Sequence, residues 1–420
     1  MRKRITARLL LVIFVGTLLI TRSAVNAQVQ ARAEAALKAA MDREVVQGDL
    51  RGALEQYKRI AESKDRAIAA KALIRMAECY QKLGDSEARK VYERVLSDYA
   101  DQKESAAMAR AHLNGIASAR STLVWQGEKV SIYGSVSLDG RYISFTDRDT
   151  GNLALHDLTK NEDRVIVGFN NSPGKLEFFP EQSSISPDNT KVAYSLWFDG
   201  GYGGIELWVA GLNGEPKPRR VYGDPNIEWI GPRDWSPDGR WIACTLQWKD
   251  GAIRLTLVSI EDGSIRVLKS GSAWPGARMF FSPDGKYLAY DLPRGATNAH
   301  DVWVTAVDAT KDSAVVTHRA NDVVMGWSPD RKHLLFASDR TGSMALWSLS
   351  INNGMAQGTP ELLKPDMGLA ESMGVTRAGA LFYGTHRGIR GGSIEIATFD
   401  PASGALSSRR DVSTNPQENE

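Results

Sequence analysis

Ser282-Pro283-Asp284-Gly285-Lys286-Tyr287-Leu288-Ala289-Tyr290 joins a tight turn to an alternating, apolar-rich strand. The phrase recurs. Copies begin at Ser137 (SLDGRYISF), Ser186 (SPDNTKVAY), Ser236 (SPDGRWIAC) and Ser328 (SPDRKHLLF), and a weaker one runs from Thr376 to Tyr383 (TRAGALFY). Successive starts lie 49, 50, 46, 46 and 48 residues apart. A fixed period of about 40–50 residues, with strands in each unit, is the mark of a β-propeller. Six copies predict six blades. Proline pre-sets the first turn angle, aspartate caps the turn, and glycine takes a positive φ that other residues resist.

From Thr122 onward the apolar residues follow a period of two, with turn signals every 8–12 residues or so. In blade four this predicts strands at 277–281, 287–291, 301–307 and 314–317, from the channel outward; in blade three it predicts strands at 241–246, 254–260 and 265–268. A ring must also be closed. Leu123 to Trp125 are expected to complete blade six from outside, which removes two open edges at once. Gly404 to Val412 are the alternative source of that strand.

The 420-residue chain begins like an export signal. Arg2, Lys3, Arg4 and Arg8 precede an apolar run from Leu9 to Ile20, and Val25-Asn26-Ala27 forms a small-residue cleavage site. A mature start at Gln28 follows, with no transmembrane segment after cleavage, and a periplasmic or secreted location. Removing residues 1–27 takes away five basic and no acidic residues, so the formal charge goes from +2 to −3. That balance gives no electrostatic case for a nucleic-acid partner. Cys79 and Cys244 fall in different predicted domains, each in an apolar stretch, and read as two buried free thiols.

Residues 31–119 read as helices, near 31–47, 50–62, 66–82, 86–99 and 103–119. Leu73, Met76, Ala77, Tyr80 and Leu83 recur at three- and four-residue spacing, which puts them on one face. Gly48-Asp49 and Gly84-Asp85 lie 36 residues apart and are followed by Ala53 and Tyr57, and by Ala88 and Tyr92. The segment from Ala72 to Leu96 resembles a tetratricopeptide repeat, one residue short between the glycine and the small packing alanine. Such arrays make concave peptide-binding surfaces. The fold class that results is an all-α tetratricopeptide-like domain (28–120) followed by an all-β six-bladed propeller (121–412), with a disordered tail expected at 413–420.

The Ser-Pro-Asp-Gly phrase resembles the WD-repeat-like repeats of the TolB propeller family. Ser338-Asp339-Arg340-Thr341-Gly342 with Leu346-Trp347, echoed by Asp147 to Gly151, is another habit of that family. The resemblance covers about residues 122–412. It implies a propeller that binds other proteins in the cell envelope. Similar propellers precede the catalytic domain of prolyl-oligopeptidase-type peptidases, and related ones are lyases acting on sugar acids.

Motifs for chemistry are few. No Gly-x-Ser-x-Gly elbow occurs, and the sequence holds no α/β domain of the kind that such a peptidase adds. His112, His156, His300, His318, His333 and His386 are far apart, without a metal-binding spacing, so no metal or other cofactor is expected. His300 and His386 are both expected between second and third strands, on one face of the ring. The repeated Asp139, Asp188, Asp238, Asp284 and Asp330 are expected to be structural turn residues. A binding mouth is placed instead on the face opposite these turns, in loops holding Trp197, Tyr202, Trp229, Arg233, Trp248, Lys249, Trp274, Arg294, Arg387 and Arg390. Tryptophan and arginine offer large contact area and planar hydrogen bonding, which makes them frequent binding hot spots. The alternative is that the tryptophans pack between blades. The function that follows is recognition without bond chemistry: an envelope scaffold whose helices and propeller mouth each engage a peptide or protein partner. The competing reading is a propeller-type lyase or hydrolase acting on a carbohydrate or small substrate in the channel.

Overall fold

The computed structural model describes residues 30–83, 87–113, 121–127, 130, 133–169, 178–198, 205–273, 278–295, 297–368, 370–386 and 392–398. The chain divides between Gly115 and Ile116 into a helical unit and a β unit.

Five helices lie among the described residues of the first unit: α1 (30–45), α2 (Leu50–Ile60), α3 (Arg66–Lys82), α4 (Glu87–Asp98) and α5 (Lys103–Leu113). Asp49 starts α2 by accepting from the Gly52 N–H at 2.8 Å, and Asp65 starts α3 by accepting from the Ala67 and Ile68 N–H groups. These bonds satisfy donors that the first turn leaves open. The two Ala/Tyr pairs singled out in the sequence, Ala53 with Tyr57 and Ala88 with Tyr92, are buried. A charged cluster lies inside the helices. Glu44 accepts from Tyr57 Oη at 2.8 Å and Lys82 Nζ at 2.9 Å, and it shares the Arg75 guanidinium with Glu78.

The β unit is a ring of six sheets. β1 (Thr122–Gly127) comes first in the chain and belongs to the last blade. Blade one holds β2 (Tyr142–Asp147), β3 (Asn152–Asp157) and β4 (Glu162–Val167); its innermost position is a single bridge from Val136 to Ile143. Blade two holds β5 (Phe178–Ile185), β6 (Lys191–Phe198), β7 (Glu206–Gly211) and β8 (Arg219–Tyr222). Blade three holds β9 (Ile227–Trp235), β10 (Trp241–Trp248), β11 (Ile253–Ser259) and β12 (Ile265–Gly271). Blade four holds β13 (Met279–Phe281), β14 (Tyr287–Pro293), β15 (His300–Ala306) and β16 (Asp312–Val316). Blade five holds β17 (Asp322–Trp327), β18 (His333–Ser338), β19 (Ala345–Asn352) and β20 (Met355–Lys364). Blade six holds β21 (Ala370–Val375), β22 (Ala380–His386) and β23 (Gly392–Thr398), and β1 is its outermost strand. The closure expected from Leu123 to Trp125 is the one observed, with Thr122 opposite Ile396 and Gly127 opposite Gly392. Residues 404–412 lie outside the described residues.

The repeated phrase earns its spelling at the turn between first and second strands. In copy four the Ser282 hydroxyl donates to Asp284 at 2.6 Å and accepts from the Tyr287 N–H at 3.0 Å, while Asp284 accepts from the Lys286 N–H. Copies one, two, three and five repeat this cycle through Asp139, Asp188, Asp238 and Asp330. Burial acts to raise the carboxyls of Asp188, Asp238, Asp284 and Asp330, but the hydroxyl and backbone donors outweigh it and hold them below the ordinary value. Each copy ends on a core residue inside the strand that follows: Phe145, Tyr194, Cys244, Tyr290, Phe336 and Tyr383 are each at most 1% exposed. Burying an aromatic of this size stabilises by about 1.5–3 kcal/mol, so each phrase fixes a turn and fills a core. Those cores lie between neighbouring blades; Ala243, Leu255 and Leu257 of blade three, for example, pack on Phe281, Leu288 and Tyr290 of blade four. Cys79 and Cys244 are buried free thiols.

Candidate binding site in the central channel

The inner strands converge on a cavity of about 470 Å³. Its wall is spelled by the same phrase. The residue just before each copy faces it: Val136, Ile185, Trp235, Phe281, Trp327 and Val375. The second residue of each copy forms a further tier, with Leu138, Pro187, Pro237, Pro283, Pro329 and Arg377. Both tiers are apolar except for Arg377, whose guanidinium donates to the Pro187 carbonyl at 2.8 Å, from blade six to blade two.

A cycle of hydrogen bonds holds this wall. The Val136 N–H donates to the Met373 carbonyl, Ile185 N–H to Ser135 Oγ, Trp235 Nε1 to the Ser184 carbonyl, and Phe281 N–H to Asp234 Oδ2. Trp327 Nε1 then donates to the Phe280 carbonyl and Ser372 Oγ to the Met325 carbonyl. Every blade is thereby bonded to its predecessor at the channel. Two glycines allow the inner strands this closeness: a Cβ on Gly326 would sit 2.8 Å from Val375, and one on Gly374 would sit 3.4 Å from Val136.

Three charged groups break the apolar wall in blades three and four. Arg233 is the extra residue of a bulge in β9, where Pro232 opposes Cys244 and Asp234 opposes Ala243. A bulge re-aims the side chain it carries, and Arg233 lines the cavity while only 4% exposed. Its Nε donates to Thr245 Oγ1 at 3.2 Å and its Nη1 to Gln182 Oε1 at 3.0 Å. Arg278, immediately before β13, is 7% exposed and donates to the Gly134 carbonyl at 2.7 Å. Burial, and then the charge of Arg278, push the Arg233 guanidinium down to about 10; burial also lowers Arg278, against the pull of Glu371 and Asp234. Asp234 lines the cavity between them. Burial pushes its carboxyl up to about 7, although it accepts from the N–H groups of Phe281 and Trp235. A group in that range takes up and releases protons at neutral pH.

Of the residues expected at the opposite mouth, Arg233 alone lines this cavity among those described. Tyr202, Trp274, Arg387 and Arg390 lie outside the described residues, as do the side chain of His386 and the 413–420 tail. Trp197, Trp229 and Trp248 were expected in loops but stand on β6, β9 and β10, because the period-two pattern runs further than its turn residues indicate. All three pack against the core between blades two and three. Trp229 Nε1 donates to Glu181 at 2.6 Å beneath the Arg233 guanidinium, and the Arg254 guanidinium covers Trp248 at 4.3 Å. Arg294 is tied to Asp301 at 2.8 Å and to the Ala320 carbonyl, while Lys249 is exposed. His300 stands at the head of β15, bonded to Asp291. Arg278 and Asp234 went unread in the sequence. Asp234 had a positional signal: it stands two residues ahead of a phrase, where the other copies place Ser, Phe or Gly.

Residues 226–361 match the TolB beta propeller domain. That segment, blades three to five of the ring, is TolB-type propeller sequence. An uncharacterized protein of Agrobacterium fabrum is 26% identical over 155 residues, covering 36% of this chain and 50% of the relative, so the chain spans about half the length of that curated relative. Among solved structures, a putative TolB from Agrobacterium tumefaciens aligns with a TM-score of 0.44 at 16% identity, over 60% of this chain and 90% of that one. An oligogalacturonate lyase in complex with manganese gives 0.45 at 13%, over 64% and 77%, and a puromycin hydrolase gives 0.49 at 15%, over 68% and 46%. What those proteins bind or act on is a property of theirs. No helix among the described residues is long and apolar enough to cross a membrane.

Proposed function

We propose that this chain is an exported scaffold of the cell envelope, cut after Ala27 and held in the periplasm or secreted, that works by recognition. Its helices, read as tetratricopeptide-like, engage one peptide or protein partner, and its TolB-type propeller engages a second ligand. The observation that carries this reading is the channel cavity, an apolar ring built from the turn phrase itself and broken by a few fixed charges. It has the size and the lining typical of a ligand site. The repeated aspartates are spent in turns and add no chemistry to it. On the other face, Lys249 with the loops around it is the contact surface expected for a protein partner. Two linked sites raise effective concentration without new contacts.

Crosslinked capture from a native envelope extract tests this, with the full mature chain run beside its Lys249→Glu variant and metal analysis on both. A partner captured by the parent chain and lost with the variant, at unchanged melting temperature, supports the scaffold. A stoichiometric metal, with turnover of a carbohydrate and no partner, overturns it. The second reading, a lyase or hydrolase using the channel, is favoured by one observation, the carboxyl of Asp234 poised near neutrality in the cavity. Under that reading Asp234→Asn abolishes turnover.

A further inference from the structure

The polar side chains of the channel wall are committed to the protein, and its apolar surface is not. Ser135 Oγ accepts from the Ile185 N–H at 2.8 Å, and Thr376 Oγ1 from the Ala380 N–H at 3.0 Å. Asp234 accepts two backbone N–H groups, and Arg377 reaches across to the Pro187 carbonyl. Arg233 holds Thr245 and Gln182, Arg278 holds the Gly134 carbonyl, and both make further contacts. Acidic groups act on the pair as well, Glu181 and Asp291 on Arg233, Glu371 and Asp234 on Arg278. The two cations are thus answered within the wall. Even the indoles turn their N–H groups away: Trp235 Nε1 donates to the Ser184 carbonyl at 2.9 Å and Trp327 Nε1 to the Phe280 carbonyl at 3.0 Å. What these side chains leave toward the cavity is ring surface. Among the described lining residues, Ser184 is the polar one whose side chain has no hydrogen bond.

We propose that the channel binds an uncharged, largely apolar small molecule with an aromatic ring, seated against Trp235, Phe281 and Trp327 and admitted from the face of the repeated turns. The assignment rests on the channel being the ligand site of the propeller. A charged or hydroxyl-rich ligand gives up water on entry and meets donors and acceptors that already have partners, which is unfavourable unless new hydrogen bonds replace the water. An apolar ligand gains in proportion to the surface it removes from water, and the two tiers present such surface around the ring. A volume of about 470 Å³ suits a molecule of this kind. Bonds from blade to blade hold the wall in place, so little ordering opposes binding. The entrance follows from the outer tier, where Pro237 and Pro283 line the cavity while exposed in their turns. A ligand admitted there leaves the loop face, with Lys249, open to a protein partner.

Three matched probes on the full mature chain decide the matter: benzophenone, 4-benzoylbenzoate and 4-(aminomethyl)benzophenone, which are neutral, anionic and cationic on one framework. Isothermal titration reads their affinities. Ultraviolet irradiation of each complex, followed by mass spectrometry, reads where the ketone inserts. The expected result is saturable binding of benzophenone, both charged probes weaker by about tenfold or more, and label on peptides carrying Trp235, Phe281 or Trp327. A charged probe that binds as well as benzophenone and labels the same peptides overturns the uncharged assignment but leaves the channel as a ligand site. Lactose that displaces benzophenone from those peptides also overturns it, in favour of a carbohydrate site. Label confined to other peptides overturns the channel as a ligand site, and the assignment with it. No binding of any probe overturns the assignment, and the scaffold reading is then judged by the capture experiment alone. Because every probe is used on the unaltered chain, the test depends on no variant that could fail to fold.

Discussion

Arg331 occupies, at φ +66°, the turn position that glycine holds in copies one, three, four and six of the phrase. An L residue gives up about 1–2 kcal/mol there, of which glycine's larger unfolded-state entropy takes back about 0.5–1. Arg331→Gly is therefore expected to raise stability by up to about 1 kcal/mol, read as a higher urea midpoint at unchanged slope; a lower midpoint would show that the arginine is held by contacts rather than tolerated. Asp234 gives a prediction of opposite character. Its folded carboxyl titrates near 7, above its ordinary 3.8, chiefly through burial. The stability this lends is complete below the lower value and is lost as pH rises through about 7. Urea midpoints between about pH 5 and pH 8 should thus decline for the parent chain and stay flatter for Asp234→Asn.

At the level of single elements, the inner strands leave the least room. Gly326 combines φ +139° with a Cβ position 2.8 Å from Val375 in the next blade. Gly326→Ala should cost about 1–3 kcal/mol, and Val375→Ala in the same chain should recover part of it, which thermal unfolding of both variants would show. In the helical unit the buried Arg75 ties Glu44 of α1 to Glu78 of its own helix. Arg75→Ala leaves two buried carboxylates without that cation and is expected to cost about 3–5 kcal/mol, seen as loss of helical circular dichroism at lower denaturant. Strand identity and order were legible because serine, aspartate and glycine at the turn, and a core residue (an aromatic in five of six copies) within the strand after it, are local requirements. Strand length was not. Trp229 and Trp248 lie beyond the points where the alternating pattern is punctuated, and their pairing with neighbouring strands is decided by blade-to-blade packing.

Across the whole molecule, the ring and its closure were open to reading from the period alone, since a residue near 122 and one near 396 must meet if six units close a circle. The candidate site was half legible. The sequence singled out arginine and tryptophan, and Arg233 does line the cavity. It assigned them to the loop face, because nothing local announces that Arg233 is the odd residue of a bulge. Arg278 escaped for a related reason: it stands 45 positions after Arg233, and only the packing of blade four beside blade three brings both to one cavity.

The seam in blade six also sets an order in time. β1 pairs with residues 265 to 274 positions further along, so it remains a bare edge until the last described strand has emerged. Contacts of such span form slowly, and an edge that waits is one to which foreign strands add. Trp125 of that seam stacks on His156 of blade one at 4.3 Å, giving β1 a resting place that depends on an early blade rather than a late one. A nascent chain can therefore park its first strand against blade one and fasten it only when the sixth arrives.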